Sequence, residues 1–101
     1  MNNEVKKKLA ILRAEYAKHL PIKIAEIETF WQKIRSGCDK EELVELQRMA
    51  HNLKGTSATY GFTDVSAAAE KLESHLASLS QIDIPAIDLL ITELAERNFT
   101  R

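Results

Sequence analysis

The sequence predicts an all-α fold: an up-and-down antiparallel four-helix bundle with an additional N-terminal helix. Three observations predict it. Apolar residues recur at three- and four-residue spacing along most of the chain, as they do on one-sided helices. Only 3 glycines and 2 prolines occur in 101 residues, too few for the many turns of an all-β fold. The stretches between periodic segments are a few residues long, which makes successive helices antiparallel neighbours. At this length the chain reads as one domain over residues 1–101, able to bury a core without covalent staples.

Taken in order, the first helix spans about residues 3 to 19, with Val5, Leu9, Leu12 and Tyr16 as its apolar stripe. Pro21 suits the first turn of a second helix, where its missing N–H costs nothing. That helix carries Ile24, Ile27, Phe30 or Trp31, and Ile34, and ends near Ser36-Gly37, with Gly37 as a left-handed stop. Asp39 followed by Glu42 resembles a capping box opening a third helix, which runs to about Tyr60 and terminates at Gly61. Thr63 or Asp64 caps a fourth helix through about Leu79, striped by Val65, Ala69, Leu72, Leu76 and Leu79. After Ser80-Gln81-Ile82-Asp83, Pro85 begins a fifth, with Ile87, Ile91 and Leu94 inward.

Composition excludes several classes of function. The formal net charge is −1, so no global field draws the chain to nucleic acid or to an anionic membrane. The longest basic run, Lys6-Lys7-Lys8, reads as a solvated helix face. No apolar stretch approaches the roughly 20 residues that span a bilayer. The start, Met1-Asn2-Asn3-Glu4, lacks the cationic-then-apolar order of a signal peptide. A single cysteine, Cys38, has no internal disulfide partner, and nothing beside it in the sequence activates its thiol. The cytoplasm is the expected compartment.

The third helix holds the chemistry. Leu43, Leu46, Ala50, Leu53, Ser57 and Tyr60 define its inward seam. At about 100° per residue, His51 projects roughly 120° from the centre of that seam. A histidine kept for packing would fall within it. Val44, Gln47, Arg48, Lys54, Gly55 and Ala58 share the outward face. Gly55 costs a helix interior about 1 kcal/mol relative to alanine, and the gain that offsets this is open space one turn from the imidazole.

Neutral imidazole, the form an unperturbed histidine mostly takes near pH 7, has a bare nitrogen that can attack phosphorus. The product is a phosphoramidate, which passes its phosphoryl group on readily. Lys54 supplies a mobile cation for the phosphoryl oxygens. Thr56 and Ser57 add hydroxyls, with Ser57 expected to face inward and bond a helix carbonyl. A metal site at His51 is not expected, because the positions three and four residues on are Lys54 and Gly55. His19 and His75 lack such neighbours and read as helix-end and surface residues. Trp31 and Phe30 read as packing, and Ala67-Ala68-Ala69 as a stripe permitting close helix contact.

The run Ala50-His51-Asn52-Leu53-Lys54-Gly55, followed by small residues and Gly61, resembles the signature of the histidine-containing phosphotransfer (Hpt) domains of phosphorelays. Leu72-Glu73 matches a further element of that pattern, and the similarity covers about residues 10 to 79. The resemblance implies that His51 is phosphorylated, with Nε2 attacking, Lys54 as the phosphate-side cation and Gly55 as the clearance residue. It implies receiver domains of response regulators as both phosphodonor and phosphoacceptor. Any Mg²⁺ belongs to the receiver, so no cofactor is expected on this chain. Gln47, Arg48 and Ala58 fall where a receiver would dock.

Tyr60, Phe62 and Val65 depart from the commoner residues of the pattern and are expected to alter packing at one end of the bundle only. The chain thus reads as a phosphorelay intermediate in two-component signal transduction: a monomeric phosphocarrier with no autonomous kinase activity. It is either free-standing or the cytoplasmic Hpt portion of a membrane-bound hybrid sensor histidine kinase. The alternative is a helical protein-protein interaction module without phosphotransfer, for which neither Lys54 nor Gly55 is required.

Overall fold

The computed structural model describes residues 3–37, 39–78 and 81–97. Four helices and no strand occur among them: α1 (Asn3–Ile34), α2 (Lys40–Thr59), α3 (Thr63–Leu76) and α4 (Ile84–Arg97). They close a ring in which α1 packs on α2 and α4, and α3 packs between α2 and α4. The core is formed by the predicted stripes of α2, α3 and α4, with Leu43, Leu46, Ala50, Leu53, Ser57, Val65, Ala69, Leu72, Leu76, Ile87, Ile91 and Leu94 all buried. Leu79, Ser80 and Cys38 lie outside the described residues.

The N-terminal helix expected as a separate element does not exist. The first two predicted helices are one continuous helix of 32 residues with Pro21 inside it. Proline there removes the bond to the Ala17 carbonyl and costs about 3 kcal/mol. The flanking residues Leu20 and Ile24 are 1% and 0% exposed. Each such aliphatic side chain contributes roughly 1.5–3 kcal/mol when buried, so keeping both on one straight face outweighs the lost bond. The inward face is Tyr16, Leu20, Ile24, Ile27, Trp31 and Ile34, which resolves the choice between Phe30 and Trp31 in favour of Trp31. Val5, Leu9 and Leu12 do not join the core; they are 41%, 48% and 49% exposed.

The helix ends correct three further expectations. Gly37 is not a left-handed stop, since Gly61 is the glycine with positive φ among the described residues. At Gly61 (φ +84°) its own N–H reaches the Ala58 carbonyl at 3.1 Å and the Phe62 N–H reaches the Ser57 carbonyl at 2.8 Å. That pair of bonds is a Schellman termination, which demands the left-handed residue. Asp39 occupies the N-cap of α2 but its side chain makes no cap bond, so the capping box is not formed. Phe62, rather than Thr63 or Asp64, is the N-cap of α3, again without a side-chain cap bond. At α4 the Asp83 carboxylate accepts the Ala86 N–H at 3.2 Å and caps the first turn.

Two polar clusters pin α1 to its neighbours. Towards α4, Trp31 donates its indole N–H to Asp88 Oδ1 at 2.6 Å, and Arg35 grips both carboxylate oxygens, at 3.1 and 2.5 Å. The Arg35 guanidinium, then the Trp31 N–H, hold the Asp88 carboxyl below its usual range. Towards α2, the Tyr16 hydroxyl lies 2.6 Å from Thr56 Oγ1 and 3.1 Å from Ser57 Oγ. Ser57 therefore faces inward as expected, but its partner is Tyr16; the hydroxyl that bonds a helix carbonyl is that of Thr56, 3.0 Å from the Asn52 oxygen. Tyr16 also stacks on Tyr60, with ring centroids 4.8 Å apart.

The interior proline yields a stability prediction. Pro21→Ala restores a helix bond at a half-buried position and should raise the unfolding free energy by about 1–3 kcal/mol. Urea denaturation of the two proteins measures this; an unchanged or lower midpoint would contradict it.

Candidate functional site

His51 sits midway along α2, and its side chain is 62% exposed. Its direction follows from the helix: Ala50 and Leu53 are drawn into the core, so the residue between them on the opposite face must point outward. No apolar interior encloses the ring. An arriving protein can reach it.

The antiparallel register of α2 and α3, the most closely packed pair of helices, sets what lies beside it. The Ser66 hydroxyl donates to the Lys54 carbonyl at 3.0 Å. Two turns further along α3, Glu73 faces α2. One of its carboxylate oxygens lies 2.8 Å from His51 Nδ1 and the other 3.3 Å from Lys54 Nζ. A single carboxylate thus bridges the imidazole and the ammonium.

Burial pushes the Glu73 carboxyl up, but hydrogen bonds from His51 and Lys54, with the Lys54 charge beside it, outweigh it, and the net shift is downward. Glu73 is therefore ionised near neutral pH and can only accept hydrogen bonds. That fixes the neutral tautomer of His51: the proton resides on Nδ1, where Glu73 receives it, and Nε2 across the ring keeps its lone pair. Such a nitrogen can act as a nucleophile whose orientation is set by the carboxylate behind it.

The remaining outward residues form a mixed surface. A Cβ at Gly55 would meet no atom within 4 Å, so packing does not require glycine there. Ala58 is exposed and Gln47 half-buried. Val44, also on this face, is 46% exposed. Arg48 is held on its own helix by Glu45, at 2.9 and 2.5 Å. Their hydrogen bond lowers the Glu45 carboxyl and raises the Arg48 guanidinium. Arg48 and Asn52 then border a groove between α2 and α1, whose other side carries Lys23, Glu26 and Ile27.

Of the two other histidines, His19 is exposed on α1, and His75 has its Nδ1 3.0 Å from the Lys71 carbonyl in the last turn of α3. No cluster of three or more metal-ligating side chains occurs among the described residues. No described helix is long and apolar enough to cross a membrane.

The sequence reading assembled His51, Lys54 and Gly55 but gave Glu73 no role. The signal was present in register: Leu72 faces the core, and the next residue of an antiparallel neighbour lies beside the outward face of α2. The match to known families covers this same region, since the Hpt domain model fits residues 12–97. The chain belongs to the Hpt domain family. Hpt domains serve histidine phosphotransfer in phosphorelays and generally interact with receiver domains. No match is found among curated proteins or among solved structures.

The Glu73 bridge predicts a pH dependence with a definite sign. A carboxyl whose folded pKa lies below its ordinary value of 4.5 contributes stability above that value and loses it as pH falls through the folded pKa. Glu73→Gln should therefore flatten the fall of melting temperature with acid, with the gap between the proteins closing below the ordinary carboxylate range. Nitrogen NMR of the wild-type His51 ring should report a protonated Nδ1 at neutral pH. A ring with its proton on Nε2 would remove Glu73 from the argument.

Proposed function

We propose that this Hpt domain carries a phosphoryl group between two receiver domains, accepting it from one aspartyl phosphate on His51 and delivering it to the aspartate of another. The observation that supports this best is the exposed His51 ring with its Nδ1 held by an ionised Glu73, on the residues that match the family motif. In the accepting step the Nε2 lone pair forms a bond to phosphorus as the phosphorus–oxygen bond to the aspartate breaks. The aspartate leaves as a carboxylate, taking the bonding electrons. The ring keeps its Nδ1 proton and gains positive charge, which the Glu73 carboxylate stabilises. Delivery runs the same step in reverse against a second aspartate. Neither direction requires a nucleotide, and the domain acts as a carrier with no autonomous kinase activity.

Lys54 has a second task in this scheme. Paired with Glu73, it cancels the negative charge that would otherwise meet the phosphoryl oxygens, and its flexible stem lets the ammonium turn towards them. The open volume above Gly55 admits the tetrahedral phosphoryl group and the receiver loop that brings it. Gln47, Arg48 and Ala58, elsewhere on α2, form part of the docking surface for the receiver.

Incubation with a phosphorylated receiver should add one phosphoryl group to the intact chain by mass, and His51→Gln should abolish the addition while leaving the helical spectrum unchanged. Labelling that survives in His51→Gln would place the acceptor elsewhere. Gly55→Gln fits the fold but intrudes on the approaching receiver, so transfer should slow by about 10²-fold, the cost of a misplaced reacting group. Lys54→Ala should slow transfer by roughly tenfold, about 1.4 kcal/mol of transition-state stabilisation. A rate within experimental error of wild type would remove Lys54 from the mechanism.

A further inference from the structure

Helix α1 outruns the bundle. Residues 3–15 are all exposed, whereas Tyr16 is buried against Tyr60 and Phe62 at the end of the bundle. The projecting arm is about 20 Å long at 1.5 Å per residue. Ile11, 62% exposed, lies on the far side of the arm, but the other large apolar residues share one stripe. At 100° per residue Leu9 and Leu12 fall within about 40° of Tyr16, so they continue the inward face of α1 past the point where α2 and α3 turn back. They are 48% and 49% exposed. The family match starts at residue 12, so most of this arm precedes the matched region.

The arm and the bundle end form a corner. Tyr60 and Phe62 close one side of it, half-buried against the core. Arg13, on the arm, lays its guanidinium over the Phe62 ring, 4.8 Å from the centroid. The apolar stripe on the other side is narrow, with the three- and four-residue spacing of a coiled-coil seam.

Charge selects the occupant. The arm and the turn that follows, residues 3–19, carry five Lys and Arg against two Glu, while the rest of the chain carries nine against thirteen. Glu15 is already met by Lys18 at 3.4 Å. Among the described residues no carboxylate is ion-paired with Lys6, Lys7 or Lys8. In seam register Lys6 and Lys8 flank Leu9. A second copy would bring the same basic arm against itself, with Lys6 opposite Arg13 in an antiparallel pair and Lys8 opposite Arg13 in a parallel one. A flat bilayer cannot enter a concave corner.

We propose that the N-terminal arm of α1 is a docking rail for an acidic amphipathic helix of a partner protein. The partner helix lays leucine-type residues on Leu9 and Leu12 and sets carboxylates against Lys6 and Lys8. Its end abuts the Tyr60–Phe62 turn. The surface is separate from the His51 face, and binding to it does not depend on phosphotransfer.

The test uses the whole chain and a synthetic 21-residue helix with leucine at the seam positions and glutamate beside them, whose like charges oppose self-pairing. A twin with lysine in place of each glutamate is the control. Titration calorimetry should show the acidic helix binding, several-fold more weakly when salt rises from about 0.05 M to about 0.5 M. The double variant Leu9→Glu, Leu12→Glu should bind about tenfold more weakly or worse, with an unchanged melting temperature because neither side chain touches the core. Lys6→Glu with Lys8→Glu should reverse the preference towards the lysine twin. Binding of neither helix, equal binding of both, or binding indifferent to these variants overturns the proposal. So does dimerisation of the protein alone that Leu9→Glu, Leu12→Glu abolishes, or sedimentation with phosphatidylserine vesicles that the same variant abolishes.

Discussion

Everything at the candidate site depends on one carboxylate reaching across the groove between α2 and α3. Glu73 meets His51 and Lys54 together because the two helices run antiparallel and pack closely enough for a glutamate to span them. Buried Ala68 and Ala69 supply the small side chains on α3, and the Ser66–Lys54 bond marks the register nearer the turn. Displace α3 by one residue and Glu73 turns away from both partners, since neighbouring positions on a helix diverge by about 100°. The imidazole would then keep its exposure but lose the contact that chooses its tautomer. Bundle packing and imidazole chemistry meet at that contact.

The division between stabilising and reactive faces is sharp. Stability comes from the opposite side of α2, where Leu43, Leu46, Ala50 and Leu53 are buried, and from α1, which is tied to α2 through Tyr16 and to α4 through the Trp31–Asp88–Arg35 cluster. None of these groups touches His51. The outward face can therefore carry a glycine in mid-helix, an exposed ring and a bridged cation without weakening the core. Gly55 shows the separation best: no neighbour is close enough to require glycine, so its helix cost of about 1 kcal/mol has no structural return. A return at the surface, as clearance for an incoming group, is the reading consistent with that open space.

How much of this was legible in the sequence depended on whether the deciding partner was local. The outward direction of His51 followed from the spacing of Leu46, Ala50, Leu53 and Ser57, all within two turns. The stop at Gly61 was equally local, because a left-handed residue after a periodic run is a strong signal. Pro21 misled for the same reason. Local rules treat proline as a helix boundary, whereas the choice was made by Leu20 and Ile24 packing against the rest of the bundle. Asp39 had the right position for a cap but no cap bond formed, since position alone does not fix a side-chain rotamer. Glu73 lies 22 residues from His51 on a different helix, so finding it needed the register of the two helices, which no spacing within either helix contains. The exposure of Leu9 and Leu12 was hidden too, because an apolar stripe reads the same whether or not a partner covers it.

The electrostatics of the bridge are compatible with the phosphoryl transfer proposed for His51, even with a carboxylate beside it. Alone, Glu73 would repel the phosphoryl oxygens and favour protonation of the ring, either of which opposes attack. With Lys54 bonded to its second oxygen, the carboxylate has an ammonium beside it as counter-charge. Glu73 still holds the Nδ1 proton, so orientation is kept while the repulsive field is reduced. In the proposed transfer the ring would become cationic, the same carboxylate would be its counter-charge, and Lys54 could swing from Glu73 to the phosphoryl oxygens. On that proposal the two charges would exchange partners as the group arrives and exchange back as it leaves.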